Sequence, residues 1–273
     1  MVLAQKIDEI ATYQPSGRFN PISISVMVAL GGALGIGAAF VVHLIWQATW
    51  FYLIFIFPAG IGIAAGIGLR IGVKVGKCRS MPIGVLAGLV IGFVSYMSMH
   101  YFDSVSLGAP DMISYLDAVA REGYTIFFIP VSGVLAWVLW IFELGVVVYF
   151  TVSIAGGSSA EPYCEECGQW CEERDLFTSS TASTQDMITA ISDGKVDRLR
   201  DLRKDQKHKA KLMAELSYCD KCAQNGYLTM KTELPKGDGD DTEEETLIEY
   251  AAVGSDGLAT LLSDFPVENE GRE

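Results

Sequence analysis

What this chain lacks first is charge at its front. Between Arg18 and Asp103 the only charged residues are Arg70, Lys74, Lys77 and Arg79. That excludes an ordinary water-soluble fold for this half, because a soluble helix or sheet needs a polar face for water. Histidine is scarce, at 3 residues in 273. No Cys-x-x-Cys-His, His-Glu-x-x-His, Gly-x-Ser-x-Gly or Walker-type loop occurs, so enzyme chemistry has no motif behind it. Positive charge is short too: the net charge is -13, and acid is densest at Asp238, Asp240, Asp241, Glu243, Glu244 and Glu245. Like charge repels phosphate, so no nucleic acid is expected as a partner of this region. Its low hydrophobicity makes residues 236–273 read as a solvated acidic tail.

What is present instead is apolar length. Crossing the hydrocarbon core takes about 20 mainly apolar helical residues, since each rises 1.5 Å and no backbone polar group can stay unpaired there. Four stretches qualify, at about 22–46, 50–72, 82–102 and 126–154. They predict an α-helical integral membrane protein whose four-helix transmembrane bundle occupies residues 22–156, behind an N-terminal segment 1–21. Arg70, Lys74, Lys77 and Arg79 make the loop between the second and third spans basic, which orients it to the cytoplasm. An even number of spans then puts both termini of this multi-pass chain in the cytoplasm. Trp46, Trp50, Tyr52, Tyr101 and Tyr124 fall near the outer boundary, as interfacial rings do. Residues 110–123 gather Met112, Ile113, Leu116, Val119 and Ala120 on one helical face, which suits a helix lying on the outer surface or packed on the bundle top.

Glycines recur at four-residue spacing: Gly31 and Gly35, Gly62 and Gly66, Gly68, Gly72 and Gly76, and Gly84, Gly88 and Gly92. Absent side chains let helix backbones approach closely. The spacing predicts tight packing within one chain, with a homo-oligomer through the same Gly-xxx-Gly faces as the alternative.

Behind the last span, Cys164-Glu165-Glu166-Cys167 and Cys219-Asp220-Lys221-Cys222 are two Cys-x-x-Cys pairs, each preceded by a tyrosine, Tyr163 and Tyr218. Over residues 163–232 they resemble the paired knuckles of a zinc ribbon, departing from it by the long insert between them. The resemblance implies one structural zinc held by Cys164, Cys167, Cys219 and Cys222, in a small cytoplasmic α+β zinc-ribbon-like domain at 157–235. Four thiolates fill a tetrahedron and leave no open position for a substrate. Cys171 and His208 are alternative ligands, and an iron-sulfur cluster is the alternative cofactor. Trp170, Leu176, Phe177, Tyr227 and Leu228 are the expected small core, and residues 226–231 read as a strand. The insert 184–216 reads as helical, with a break at Asp193-Gly194 and a basic second part that reads as a solvated face or one neutralised by the acidic tail, with anionic lipid as the alternative contact.

Four side chains inside the spans stand apart. Glu143 lies deep in the fourth, where an ionised carboxylate costs at least about 3 kcal/mol, and Arg70 is its expected partner. His43 and His100 fall at similar depth, where facing imidazoles can ligate haem. Three functions remain open. One is a membrane-anchored interaction or scaffold protein that meets a cytoplasmic protein partner through the metal-held domain. Another is a small transporter or channel component using Glu143, and the third is a haem-binding redox protein using His43 and His100.

Overall fold

The structure, a computed structural model, describes residues 10–49, 53–126, 129–180, 184–202, 211–235 and 242–265. The chain divides into two compact units, residues 15–161 and residues 1–14 together with 162–273. Each is built on its own principle.

The first unit contains four helices long and apolar enough to cross a membrane: α1 (Pro21–Thr49), α2 (Ile56–Gly76), α3 (Met81–Ser106) and, after a shorter α4 (Met112–Glu122), α5 (Val134–Ala160). Helix α1 packs on α2 and α3, and α5 packs on the same two, which closes a four-helix bundle. Its polarity runs opposite to that of a soluble bundle. Leu86, Val90, Phe93, Ile141 and Phe142 are exposed on the outside, whereas Ser23, Ser95, Glu143, Thr151 and Ser159 are buried within. A lipid surround would accept the first set, and helix-to-helix hydrogen bonds satisfy members of the second.

The glycine rows explain how closely the helices approach. A Cβ on Gly68 would lie 2.5 Å from the Leu30 carbonyl oxygen, one on Gly72 2.5 Å from Met27 Cα, and one on Gly62 2.6 Å from the Val147 carbonyl oxygen. Gly84, Gly88 and Gly92 meet α5 in the same manner, at Ala155 and Ser159, Val152 and Val148. Each row therefore faces another helix of its own chain. Small side chains use the proximity: Thr151 Oγ1 donates to the Gly62 carbonyl at 3.2 Å, and Ser23 Oγ donates to that of Gly76.

Two span boundaries differ from those read off the sequence. Helix α2 starts at Ile56 rather than 50; Trp50 and Tyr52 lie outside the described residues. Helix α5 starts at Val134 rather than 126, because the chain first turns back as a hairpin of β1 (Tyr124–Ile126) and β2 (Ile129–Val131). Gly123 (φ 78°) and Gly133 (φ 58°) bracket that hairpin in conformations that disfavour other residues. Helix α4 is capped by Asp111, whose carboxylate accepts from Ser114 N–H at 2.8 Å, and it buries Leu116 and Ala120 while leaving Ile113 exposed.

The second unit is larger than a ribbon. A short hairpin, β3 (Tyr163–Cys164) with β4 (Gln169–Trp170), precedes a four-stranded antiparallel sheet of β5 (Glu172–Ser180), β6 (Lys211–Tyr218), β7 (Gly226–Pro235) and β8 (Thr242–Val253), ordered 5-6-7-8. Helices α6 (Thr184–Ser192), α7 (Leu199–Leu202) and α8 (Ser255–Asp264) complete it. The core joins Leu212, Ala214, Leu216, Leu228 and Met230 of the sheet to Met187, Ile188 and Ile191 of α6 and Leu258 and Leu261 of α8. Leu176, Phe177 and Leu228 belong to it as expected, whereas Trp170 and Tyr227 are half-buried.

Three expectations change here. The insert 184–216 is not continuous helix: α6 ends before Gly194 (φ 69°), and residues 211–216 are strand. Leu212, Ala214 and Leu216 alternate inward with a period of two, and pairing on both sides of β6 overrides the helix propensity of Lys, Leu, Met, Ala and Glu. Residues 236–273 are not simply a solvated tail, because β8 and α8 carry Ile248, Ala251, Val253, Leu258 and Leu261 into the core. The N-terminal segment is no separate piece either: Thr12 bridges Ala251, Tyr13 N–H donates to the Tyr250 carbonyl at 2.9 Å, and Ala252 N–H donates to that of Ala11 at 2.7 Å, adding a strip to the edge of β8.

Candidate metal centre

Each Cys-x-x-Cys pair sits in a tight turn of the sheet unit. Cys164 ends β3, and Cys167 lies in the turn that leads to β4. Cys219 and Cys222 lie in the connection from β6 to β7, where Cys219 N–H donates to the Asn225 carbonyl at 3.4 Å. The two turns share one local geometry. Gly168 N–H donates to the Cys164 carbonyl at 2.9 Å and Ala223 N–H to that of Cys219 at 2.9 Å, and both of these following residues are left-handed, with φ 66° and 49°. Folding the chain back after the second cysteine turns both sulfurs of a pair to one side.

The four sulfurs of Cys164, Cys167, Cys219 and Cys222 all lie within 4.8 Å of one another. Cys164 and Cys222 Sγ are 3.7 Å apart. Sulfurs about 2.3 Å from a common ion stand about 3.8 Å from each other, so this cluster has the dimensions of a tetrahedral thiolate site and could hold zinc. Cys164 and Cys219 are buried, while Cys167 and Cys222 are half-buried. Trp170 stands edge-on to Tyr163 at 5.1 Å, and Tyr13 of the N-terminal strip stands edge-on to Tyr227 at 5.0 Å.

The thiols are electrostatically unequal. Burial opposes a thiolate at Cys219, but the N–H groups of Cys222 and Lys221 and the thiols of Cys164 and Cys167 outweigh it and bring Cys219 down to about 7. Cys167 is pushed up to about 12, first by its contact with Cys222 and then by burial. Burial also raises Cys164. One sulfur thus ionises readily while its neighbours resist adding further negative charge, a conflict that a bound cation removes. Gln169 Nε2 donates to Cys219 Sγ at 3.5 Å and to the Asp220 carboxylate, orienting the second turn. Cys171 lies outside the sulfur cluster, its N–H bonded to the Pro162 carbonyl at 3.0 Å. His208 lies outside the described residues.

Compared with known proteins, the chain matches no family model, no curated protein and no solved structure. The geometry alone carries the reading.

Inside the bundle the expected Glu143 to Arg70 pair does not form. Arg70 Nη2 is 3.9 Å from Glu161, and Lys74 bonds the same carboxylate. Helices α2 and α5 run parallel with Gly62 level with Val147, so Glu143 faces the start of α2, about three turns from Arg70. Glu143 instead accepts from the Tyr96 hydroxyl at 2.8 Å. The two histidines keep different company: His43 Nδ1 bonds Asp103 at 2.6 Å, and His100 stands edge-on to Tyr96 and Trp140. Glu161, Tyr96 and Asp103 are the partners that sequence reading misses. The spacing of Tyr96 and His100, four residues apart on one helix, was the available signal for one shared face.

Proposed function

We propose that this protein is a membrane-anchored interaction or scaffold protein, held in the bilayer by its four apolar helices and carrying a zinc-ribbon-like pair of knuckles that one structural zinc ion locks together. The convergence of the Cys164, Cys167, Cys219 and Cys222 sulfurs within 4.8 Å carries this reading. Four thiolates saturate the metal, so zinc organises the unit and does no chemistry on a substrate. The unit then acts through its surface, presenting exposed Glu172, Glu173 and Asp175 on β5 and Glu244, Glu245 and Glu249 on β8 to a cytoplasmic protein partner.

Two observations support a cytoplasmic side for the sheet unit. Arg70, Lys74, Lys77 and Arg79 favour the cytoplasm for the α2–α3 connection. The pairing of residues 11–13 with β8 makes the two ends of the chain one folded body, which four crossings permit and an odd number forbids. Metal analysis and an absorption spectrum of the purified full-length protein test the proposal: one zinc per chain and no visible absorbance are expected. Absence of metal, iron with labile sulfide, or a haem spectrum overturns it.

A further inference from the structure

Lipid tolerates an ionised side chain poorly, so a buried carboxyl in a span demands a partner or a proton. Glu143 is 4 % exposed inside the bundle. The two Lys or Arg side chains that the spanning helices carry, Arg70 and Lys74, are both engaged by Glu161 at the far end of α5. The hydroxyl of Tyr96, itself 1 % exposed, donates to Glu143 Oε2 at 2.8 Å. One turn along the same face of α3, the His100 ring stands edge-on to Tyr96 with centroids 4.8 Å apart, and to Trp140 at 5.7 Å. His100 is 5 % exposed, and its Nε2 has no hydrogen-bond partner among the described residues. A bare ring nitrogen in an apolar interior is rare enough in folded proteins to mark a place where something binds.

We propose that Glu143, His100 and Tyr96 form a proton-binding site inside the helix bundle. The site takes up one proton from the aqueous phase as pH falls, on the Glu143 carboxyl beside a neutral imidazole or on His100 Nε2 with the carboxylate as its counter-charge, and releases it as pH rises. Uptake breaks one O–H bond of a hydronium ion, makes one O–H or N–H bond in the site and leaves the protonated site neutral, the form its apolar surroundings favour. Tyr96 is the positioning residue, keeping its O–H on Oε2 in either form. A proton needs no cavity, so the packed bundle can take this ligand as it stands.

The other titratable groups nearby are accounted for. Tyr124 of β1 stacks parallel to Trp140 at 6.4 Å and is pushed up to about 12 by burial and then by the Glu143 charge. His43 of α1 and Asp103 of α3 are bonded to each other. Tyr115 of α4 is raised by burial first and then by the Asp103 charge. The facing part of α2, residues 56–62, has no titratable side chain. The bundle is then more than an anchor, because it exchanges protons with the aqueous phase.

Infrared difference spectra of the full-length protein in bilayers, recorded as pH is stepped, read buried carboxylic acids through their C=O stretch. The expected result is one such titrating band that Glu143→Gln removes, that Tyr96→Phe shifts in frequency because its hydrogen bond is gone, and whose midpoint His100→Gln moves by about one pH unit or more. A band that survives Glu143→Gln, the absence of any such band from the wild type, or an unmoved midpoint in His100→Gln overturns the proposal. Should Glu143→Gln fail to fold, Tyr96→Phe decides alone, since a band at unchanged frequency belongs to another carboxyl.

Discussion

Stripping the metal should melt the knuckles and spare the sheet. Without a metal, β3 and β4 share only two residue pairs, Tyr163 with Trp170 and Cys164 with Gln169. A hairpin of that size has no stability of its own in water. The edge-on contact of Tyr163 and Trp170 adds about 1 kcal/mol, so local opening of the metal-free turn costs at most about 2 kcal/mol. With zinc in place, opening must break a site worth about 10 kcal/mol or more. The knuckle amides are then protected up to the stability of the unit as a whole, about 5 kcal/mol at the low end for a domain. The difference is at least about 3 kcal/mol, roughly a hundredfold in exchange rate. Hydrogen exchange with and without a strong chelator measures it at the amides of Gly168, Ala223 and Cys171, each of which donates a bond within the knuckles. The amides of Leu228 and Met230, in a strand paired on both sides and packed in the core, should keep their protection. Unchanged exchange at Gly168 and Ala223 would refute metal binding. Collapse of Leu228 and Met230 along with them would refute the claim that the sheet stands on its own core.

Three further outcomes follow from the same geometry. Metal affinity should fall as pH drops throughout the neutral range, because protons compete for the raised Cys164 and Cys167 thiols, and more steeply below about 7, where Cys219 is protonated as well; a competition titration with a chromophoric chelator on both sides of pH 7 reads it. Gly72→Ala places a methyl 2.5 Å from Met27 Cα and should destabilise the bundle by about 1–3 kcal/mol in a detergent melt, whereas Gly60→Ala, with nothing within 4 Å, should be neutral or slightly stabilising. Asp111→Ala removes the cap that accepts from Ser114 and should cost α4 about 1 kcal/mol, seen as faster exchange in its first turn with the spans unaffected.

The parts of this fold legible in the sequence are those set by local composition. Length and hydropathy mark all four spans, because the lipid requirement acts on each helix by itself. The two Cys-x-x-Cys turns are legible for a similar reason, since each is a local structure that needs only its own few residues. What is not legible depends on distant partners. Residues 211–216 carry helix-forming side chains, and only pairing with β5 and β7 makes them a strand. The acid-rich stretch around Glu243 hides an edge strand because Ile248, Ala251 and Val253, which dock it to the core, follow several residues later. Arg70 and Glu143 are the charges nearest in kind inside the spans, yet helix register, set by Gly62 against Val147, separates them and gives Arg70 to Glu161.

The strip at residues 11–13 supplies the most demanding test of the membrane reading. Its bonds to β8 join the start of the chain to a unit that lies after all four apolar helices. A chain crossing the bilayer an odd number of times would leave these two segments on opposite sides, where no such pairing can form. The pairing supports the proposal that both segments share one aqueous face, and the basic α2–α3 connection favours the cytoplasm for that face. Single cysteines introduced at Thr12 and Glu249, in a background where only the native thiols that a membrane-impermeant maleimide reaches are replaced, should both resist that reagent in intact cells and both react after permeabilisation. A cysteine at Ile113, exposed on α4 between the third and fourth spans, should react in intact cells. Labelling of Thr12 and Glu249 on different sides would break the pairing and the span count together. Labelling of both from outside would keep the pairing and invert the orientation, because the pairing fixes only that the faces agree.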